Sequence, residues 1–342
     1  MPKLGQYLPL LKSVFFLYAT EEDARAGKNS GGTGFLVGLP SEVQGRTYIY
    51  GVTNWHVACD GFPVVRLNRK VGPPEIFDFS PDQWAYEPGG PDLAVISIKI
   101  DAAEHDVRFI SFSMGQSTLN QEKSDPFNVG DDVFMIGRFI DYDGAETNMP
   151  ALRFGNISIM GANLKQETGY LGPAIVLDMH SRTGFSGSPV FAYRTSGSHF
   201  AKASPGPLTG LEEIVLGHTL MLLGIHFGQF PELWQIGADP SAKKEASLLT
   251  DGSYVKGLSG MTTVIPDSDL WALLDRKDIA DMRKKSDETL KHSHAVMTEV
   301  VSESAGAGKA QAALDDANPD HKEDFMSLLS AAAKGRSPKG QT

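Results

Sequence analysis

Residues 183–191 read TGFSGSPVF. Gly184 and Gly187 bracket a Phe and a single serine, Ser186, and a Ser-Pro step at 188–189 closes the run before an apolar strand. One reading is a sharp loop that presents the Ser186 hydroxyl while its backbone N–H groups converge on the same point. The other is a flexible Gly/Ser turn between strands. The surrounding sequence decides between them.

Outward from this stretch, the chain from about residue 13 to 265 is a series of short apolar runs bordered by Gly, Pro, Asn or Asp. GTGFLVGL, TYIYGVTNW, FPVVRLN, DLAVISIKI, DDVFMIGRF, AIVLDM, SPVFAYR and MLLGIHFG each have the length of a strand. Many strands and few helices predict an all-β fold of barrels or a sandwich. The polar stretch 101–128 reads as the connection between two halves, and 229–258 as a long loop near the predicted cleft, a lid or an insertion.

After Ile265 the character changes. PDSDLWALLDRKDIADMRKK places Leu270, Trp271, Leu274 and Met282 near helical spacing, which predicts a helix over about 267–285. The tail, 286–342, loses periodicity and reads as flexible. Within it NPDHKEDFMSLLSAAAK predicts a short helix at about 319–334, with Asn318 as cap and Pro319 in the first turn. So short a helix frays unless it docks, and docking to a partner is the minority reading.

Composition narrows the function. With 342 residues, 41% of them hydrophobic, the chain has material for a sizeable core. A formal net charge of −11 argues against nonspecific nucleic-acid binding, because phosphate contacts need a basic face. The one cysteine, Cys59, excludes an internal disulfide and fits a reducing compartment. No CxxC pair or HExxH is present, so neither metal nor cofactor is expected. Lys12 interrupts the apolar LPLLKSVFFLYA, and Glu21, Glu22 and Asp23 follow it. This predicts a first strand and a cytoplasmic protein without a membrane span.

Three segments carry chemistry when taken together. GVTNWHVACD sets His56 at the end of an apolar strand, GGPDLAVISI sets Asp92 just before another, and the opening stretch holds Ser186. A serine hydroxyl is a poor nucleophile unless an imidazole takes its proton. The imidazole in turn needs a carboxylate to fix its tautomer, and backbone N–H groups must meet the oxyanion as it forms. Each motif alone has a plain alternative: a core histidine, a turn aspartate, a loop. Their conjunction, in the order His, Asp, Ser and each at a strand boundary, favours an arranged triad. The G-x-S-x-G elbow of α/β-hydrolases fails, since Ser188 stands where its last glycine belongs.

These motifs resemble those of the trypsin-like, chymotrypsin-fold serine peptidases. TNWHVA, PDLAVI and TGFSGSPV are similar to the family's histidine, aspartate and nucleophile motifs, and the likeness spans roughly residues 13–275. It implies two six-stranded antiparallel barrels, at about 13–100 and 129–265 within a domain of residues 1–285, with the site in the cleft between them. It implies His56 as general base, Asp92 as its orienter, Ser186 as nucleophile, and the amides of Gly184 and Ser186 as the oxyanion hole. Within the family, Ser188 and GIHFG resemble the GNSGSPVF and GIHWG of bacterial glutamyl endopeptidases. That implies His226 and Ser181 as partners for an acidic substrate side chain, with His180 at the pocket base and Arg182 a second candidate for the anion. Phe185 departs from the family, which usually has Asp or Asn before the nucleophile. The loop is then ordered by packing of Phe185, or ordered only by substrate or a partner.

The expected partner is a protein or peptide substrate. A competing reading is a peptidase-fold module that binds peptide with little turnover, and another is a membrane-tethered enzyme. Cys59, three residues beyond His56, reads as structural, because Ser186 already fills the nucleophile's place.

Overall fold

The first half of the chain supplies β1 (Val14–Tyr18), β2 (Ser30–Pro40), β3 (Thr47–Thr53), β4 (Val64–Leu67), β5 (Glu75–Asp78), β6 (Ala85–Tyr86), β7 (Ala94–Ser97) and β8 (Phe109–Ser111). The second supplies β9 (Asp132–Gly137), β10 (Ala151–Lys165), β11 (Leu171–Asp178), β12 (Pro189–Tyr193), β13 (Ala201–Pro205), β14 (Glu212–Leu216), β15 (Leu220–Gln235) and β16 (Tyr254–Pro266). Short helices punctuate them, among the described residues α1 (Leu8–Leu11), α2 (Glu21–Ala26), α3 (Trp55–Ala58) and α4 (Asp267–Leu274). This computed structural model describes residues 8–111, 127–139, 146–166, 168–181, 183–193, 201–205, 212–216, 220–235 and 254–292.

Strands β9, β10, β11, β16, β15 and β12 close into a six-stranded barrel in which every pairing is antiparallel. The other sheet is built around β2, which pairs antiparallel with β1 and β3 and parallel with β8. The β13–β14 hairpin, from the second half of the sequence, joins this sheet through a parallel β14–β8 pairing. The architecture is chymotrypsin-like: mostly β, in two barrel-forming sheets with short helices at the end.

Period-two alternation explains why the motif strands read as unbroken apolar runs. On β1, Phe15 and Leu17 enter one core with Leu36, Ile96 and Phe109, while Val14, Phe16 and Tyr18 enter another. On β9, Val133 and Met135 line the closed barrel, while Phe134 and Ile136 face away from it. That second set joins Phe16, Val37, Phe191 and Leu222 in a core shared by the two sheets. A strand with one face inside a barrel and the other in the seam needs apolar residues on both. At about 25 cal/mol per Å2 of apolar surface, this double burial is the main force holding the two sheets together.

Three expectations need correction. The polar stretch 101–128 contains β8, whose buried Phe109 and Ile110 are too few to stand out in a polar context. Residues 229–235 and 254–258, read as loop, are strand in the β15–β16 hairpin. Leu233, Trp234 and Tyr254 are exposed there, so no buried face imposes an alternating pattern. The single helix expected over 267–285 is two segments, because α4 caps at Asp275 and helix resumes over 277–292.

The chain divides into two units, Met1–Lys284 and Lys285–Thr342. Of the second, residues 285–292 are described and helical, and the helix expected at 319–334 lies outside the described residues. No helix among the described residues is long and apolar enough to cross a membrane.

Candidate active site

Strand register brings the histidine and aspartate motifs together. Thr53 at the end of β3 pairs with Ala94 at the start of β7, so the residues just after one strand meet those just before the other. His56 Nδ1 lies 2.5 Å from Asp92 Oδ2, and Asp92 Oδ1 accepts the His56 backbone N–H at 2.9 Å. Asp92 is wholly buried, and its backbone is held as firmly as its carboxylate. Asn54 Nδ2 donates to its carbonyl at 2.8 Å, and its N–H donates to Gln166 Oε1 at 2.6 Å. Asn54 opens α3 without capping it, since its side chain is committed to Asp92.

The Ser186 loop is a tight turn, as the first of the two readings requires. Ser188 N–H bonds to Phe185 O at 3.0 Å, which places Ser186 and Gly187 at the two central positions. Gly187 has φ +83°, the left-handed value that the third turn position demands of glycine in a type II turn. A Cβ there would also lie 2.0 Å from Thr33 O. Gly184 is left-handed too, at φ +94°. Among the described residues, the N–H groups of Gly184 and Ser186 have no acceptor, so both remain available to a ligand oxygen.

Thr33 ties this loop to β2. Its N–H donates to Ser186 O at 2.9 Å and its hydroxyl donates to Gly184 O at 2.8 Å. The same hydroxyl accepts the Arg138 N–H at 3.1 Å, and Thr53 Oγ1 donates to Thr33 O at 2.7 Å. On the other side, Gly187 N–H donates to His226 O and His226 N–H to Ser188 O, both at 2.9 Å, which fastens the loop to β15.

Phe185 is fully buried in the closed barrel's core with Met135, Leu177 and Val190, and the Arg153 guanidinium stands 5.6 Å from its ring centroid. The loop is therefore anchored by core packing where the resemblance led us to look for a polar side chain. Ser188, also fully buried, backs the loop against Gly137, where a Cβ would lie 2.1 Å from its Oγ.

His226 Nε2 lies 2.8 Å from Ser181 Oγ, and both residues are buried. Burial, with the charge of His56 in the same sense, lowers the His226 pKa to about 3, so the imidazole is neutral at physiological pH. The backbone of Phe185 and Gly228 opposes the shift without giving Nδ1 a well-aligned hydrogen bond. Gln229 Nε2 reaches Ser181 Oγ at 3.4 Å. Beside this group opens a pocket of about 360 Å3 lined by Lys165, Gln166, Phe227, Gly228, Gln229 and Thr263 among others. His180 is exposed and lies against Gly260, outside the His226–Ser181 pair. Arg182 lies outside the described residues.

Cys59 is half-buried, and desolvation, with the charge of Asp92, pushes its thiol up to about 11. Among the described residues no cluster of three or more His, Cys, Asp or Glu side chains could hold a metal ion. Thr33, Gln166 and Asn54 were not singled out from sequence. Asn54 and Thr33 lie inside quoted motifs, but Gln166 comes from the end of β10, far from all three.

Residues 32–197 match the family model of the trypsin-like peptidase domain, a span that holds His56, Asp92 and Ser186. No curated protein matches the sequence. Solved structures similar to it include Deg5, at 19% identity over 55% of this chain and 77% of that one, with a TM-score of 0.36. An HtrA-type protease with a decapeptide is 16% identical over 78% of this chain and 64% of that one, TM-score 0.40. The MamO protease domain from Magnetospirillum magneticum is 21% identical over 60% of this chain and 92% of that one, TM-score 0.37.

Proposed function

We propose that this chain is a serine endopeptidase that works through His56, Asp92 and Ser186. The observation that carries the reading is the doubly bonded Asp92–His56 pair, which lies with Ser186 inside the span 32–197 matched to the trypsin-like peptidase domain. Asp92 holds Nδ1, which leaves Nε2 to take the Ser186 proton as Oγ attacks the scissile carbonyl. The oxyanion forms at the free N–H groups of Gly184 and Ser186, each such donor contributing about 2.7–4 kcal/mol. The imidazolium then protonates the leaving amine, and water attacks the acyl-enzyme by the reverse route.

The finer proposal is a preference for glutamate before the cut. His226 is neutral, so it offers a hydrogen bond and no charge. In the tautomer with the proton on Nε2, that N–H and the Gln229 amide both meet Ser181 Oγ, which leaves the Ser181 hydroxyl proton for a substrate carboxylate. Lys165, on the rim of the neighbouring pocket, supplies the positive field.

A second reading, a peptide-binding module or a peptidase awaiting a partner, draws on one observation. No hydrogen bond joins Ser186 Oγ to His56 among the described residues. Resting enzymes often show this bond long or misaligned, so the observation does not displace the first reading. The test is digestion of a denatured protein mixture by wild type and Ser186→Ala, with new termini read by mass spectrometry. Cuts made only by wild type and clustered after Glu are the expected result. Cuts after other residues keep the peptidase and remove the Glu preference. No difference between the two proteins overturns the first reading and favours the second, a binding module or a peptidase awaiting its partner.

A further inference from the structure

Asp92 is the central residue of a three-residue turn, in which the Leu93 N–H closes on Pro91 O at 2.7 Å. So small a ring bends its hydrogen bond, and the turn needs ties from outside to keep its shape. Two such ties flank Asp92. Asn54 Nδ2 donates to Asp92 O at 2.8 Å, which fixes the peptide plane after it. Gln166 Oε1 accepts the Asp92 N–H at 2.6 Å, which fixes the plane before it. The two planes set φ and ψ of Asp92 and so the direction in which its side chain leaves the backbone. From there Oδ1 meets the His56 N–H and Oδ2 meets Nδ1. Asn54 follows β3 in the same sheet as the Asp92 turn, whereas Gln166 follows β10 of the closed barrel.

The segment that presents Gln166 is itself fixed. Gln166 N–H donates to Tyr170 O at 2.8 Å and Gly169 N–H to Gln166 O at 2.9 Å, with Gly169 at φ +85°. Thr168 Oγ1 donates to Gly90 O at 2.8 Å, so the β10–β11 connection grips the 90–92 segment at two points.

Packing does not account for a glutamine at this position. Gln166 is 4% exposed, and its Nε2 is buried without an acceptor among the described residues. A methionine would fill the same space with no orphaned amide. What the glutamine contributes is the one bond its oxygen makes, to Asp92. Gln166 also stands in the wall of the pocket of about 360 Å3 beside Gly228 and Gln229. A role in shaping that pocket therefore has to be separated from a role in holding Asp92.

We propose that Gln166 is a positioning residue, through which the closed barrel sets the Asp92 carboxylate that orients His56. The effect on the Asp92–His56 pair stands on the geometry alone; the effect on rate rests on the peptidase reading.

The test compares the full chain with Gln166→Met, which keeps the side-chain length and removes the acceptor. One readout is the NMR resonance of the proton between His56 Nδ1 and Asp92, assigned by its disappearance in His56→Ala. The other is labelling of Ser186 by a serine-directed phosphonate, resolved into the affinity of the reversible complex, KI, and the rate of the covalent step, kinact. Gln166→Met should shift or broaden the resonance and lower kinact about tenfold to a hundredfold, with KI within about twofold of wild type. Gln166→Glu keeps an oxygen acceptor and should retain the resonance. Gln166→Asn, shorter by one methylene, should behave as the Met variant does and replaces it if that variant does not fold. A folded Met or Asn variant with resonance and kinact unchanged overturns the proposal, whatever its Tm. A weaker KI with resonance and kinact unchanged makes Gln166 a pocket wall and overturns it too. Loss of the resonance in Gln166→Glu as complete as in Gln166→Met does the same, because the acceptor is then not what matters. Loss of the resonance with kinact unchanged overturns the effect on rate. A wild type that is never labelled at Ser186 sinks the peptidase reading, and the resonance still decides whether Gln166 positions Asp92.

Discussion

Replacing Thr33 by valine tests whether the Ser186 loop is held from β2. Valine keeps the β-branched shape, and the Thr33 N–H to Ser186 O bond is backbone and survives. What disappears is one hydroxyl that donates to Gly184 O at 2.8 Å and accepts the Arg138 N–H at 3.1 Å. Thr33 is completely buried, so water cannot reach the site to replace it. Each orphaned backbone group costs about 1–3 kcal/mol, and with partial relaxation the pair should destabilise the fold by about 2–4 kcal/mol. For a domain of this size that is a fall in Tm of roughly 4–12 °C. Freeing the Gly184 carbonyl also lets the 184–185 peptide rotate, which misplaces a neighbouring N–H that the proposed mechanism uses as an oxyanion donor. Complete loss of one donor costs about a hundredfold to a thousandfold, so partial loss should slow phosphonate labelling of Ser186 by about 10–100-fold. Thr33→Ser retains the hydroxyl and should stay near wild type in both measurements. A Thr33→Val protein with unchanged Tm and unchanged labelling rate would refute the reasoning.

Other perturbations follow from the same geometry. Phe185→Ala empties a fully buried ring site and should cost about 3–5 kcal/mol in folding stability while slowing Ser186 labelling; a loss under about 1 kcal/mol would show that the ring is not an anchor. Asp269 has its pKa raised by burial to about 6 from 3.8, so its contribution to stability falls as pH rises through that window. Discounted for partial exposure, Asp269→Asn should gain about 1–2 kcal/mol over wild type at pH 8 and nothing at pH 3.5, and parallel curves would contradict this. His226 titrates the other way: its pKa is lowered to about 3 from 6.5, so stability is full above pH 6.5 and is lost as pH falls towards 3. His226→Gln should flatten that loss, which approaches about 1.4 kcal/mol per pH unit in chemical unfolding, and an unchanged slope would count against it. With a thiol near 11, Cys59 should react with iodoacetamide at pH 8 on the order of a hundredfold slower than a free cysteine until the protein is unfolded; fast labelling would refute its burial.

How much of this was legible depended on whether a residue's role was local or arose from contact with distant chain. The strands next to His56, Asp92 and Ser186 were legible because both of their faces are buried, which leaves continuous apolar runs. Gly187 was legible because one position combines a positive φ with close approach of Thr33. Gln166 was not. It serves Asp92 from 74 positions away, and a glutamine at a strand end carries no local signal of such a bond. β8 was hidden for a similar reason, since its place comes from parallel pairing with β2 and three residues are too few to show a pattern in sequence. The split of the terminal helix at Asp275 and Arg276 reflects bonds from Arg276 to Tyr86 and Glu87, again tertiary.

Phe185 shows how a departure from a family pattern can be absorbed. A polar residue before the nucleophile would hold the turn by a side-chain bond, and its loss raised the question of whether the loop is ordered at rest. The loop instead has three attachments of different kinds. Phe185 is sunk in the closed barrel, Thr33 binds Gly184 and Ser186 from β2, and the His226 backbone binds Gly187 and Ser188 from β15. The last two reach into separate sheets, so the turn can be released only by parting the sheets or by breaking bonds that are buried. Since unsatisfied buried bonds cost more than made ones return, the ordered loop is favoured without a polar residue at position 185. The same logic governs His226. Its backbone holds the turn while its neutral ring meets Ser181, so protonating the ring would strain loop and pocket together. If the proposed glutamate preference holds, the ratio of cuts after Glu to cuts after Gln should stay constant from pH 6 to 9, where neither His226 nor a glutamate changes charge, and a steep change in that ratio would refute recognition by a neutral ring.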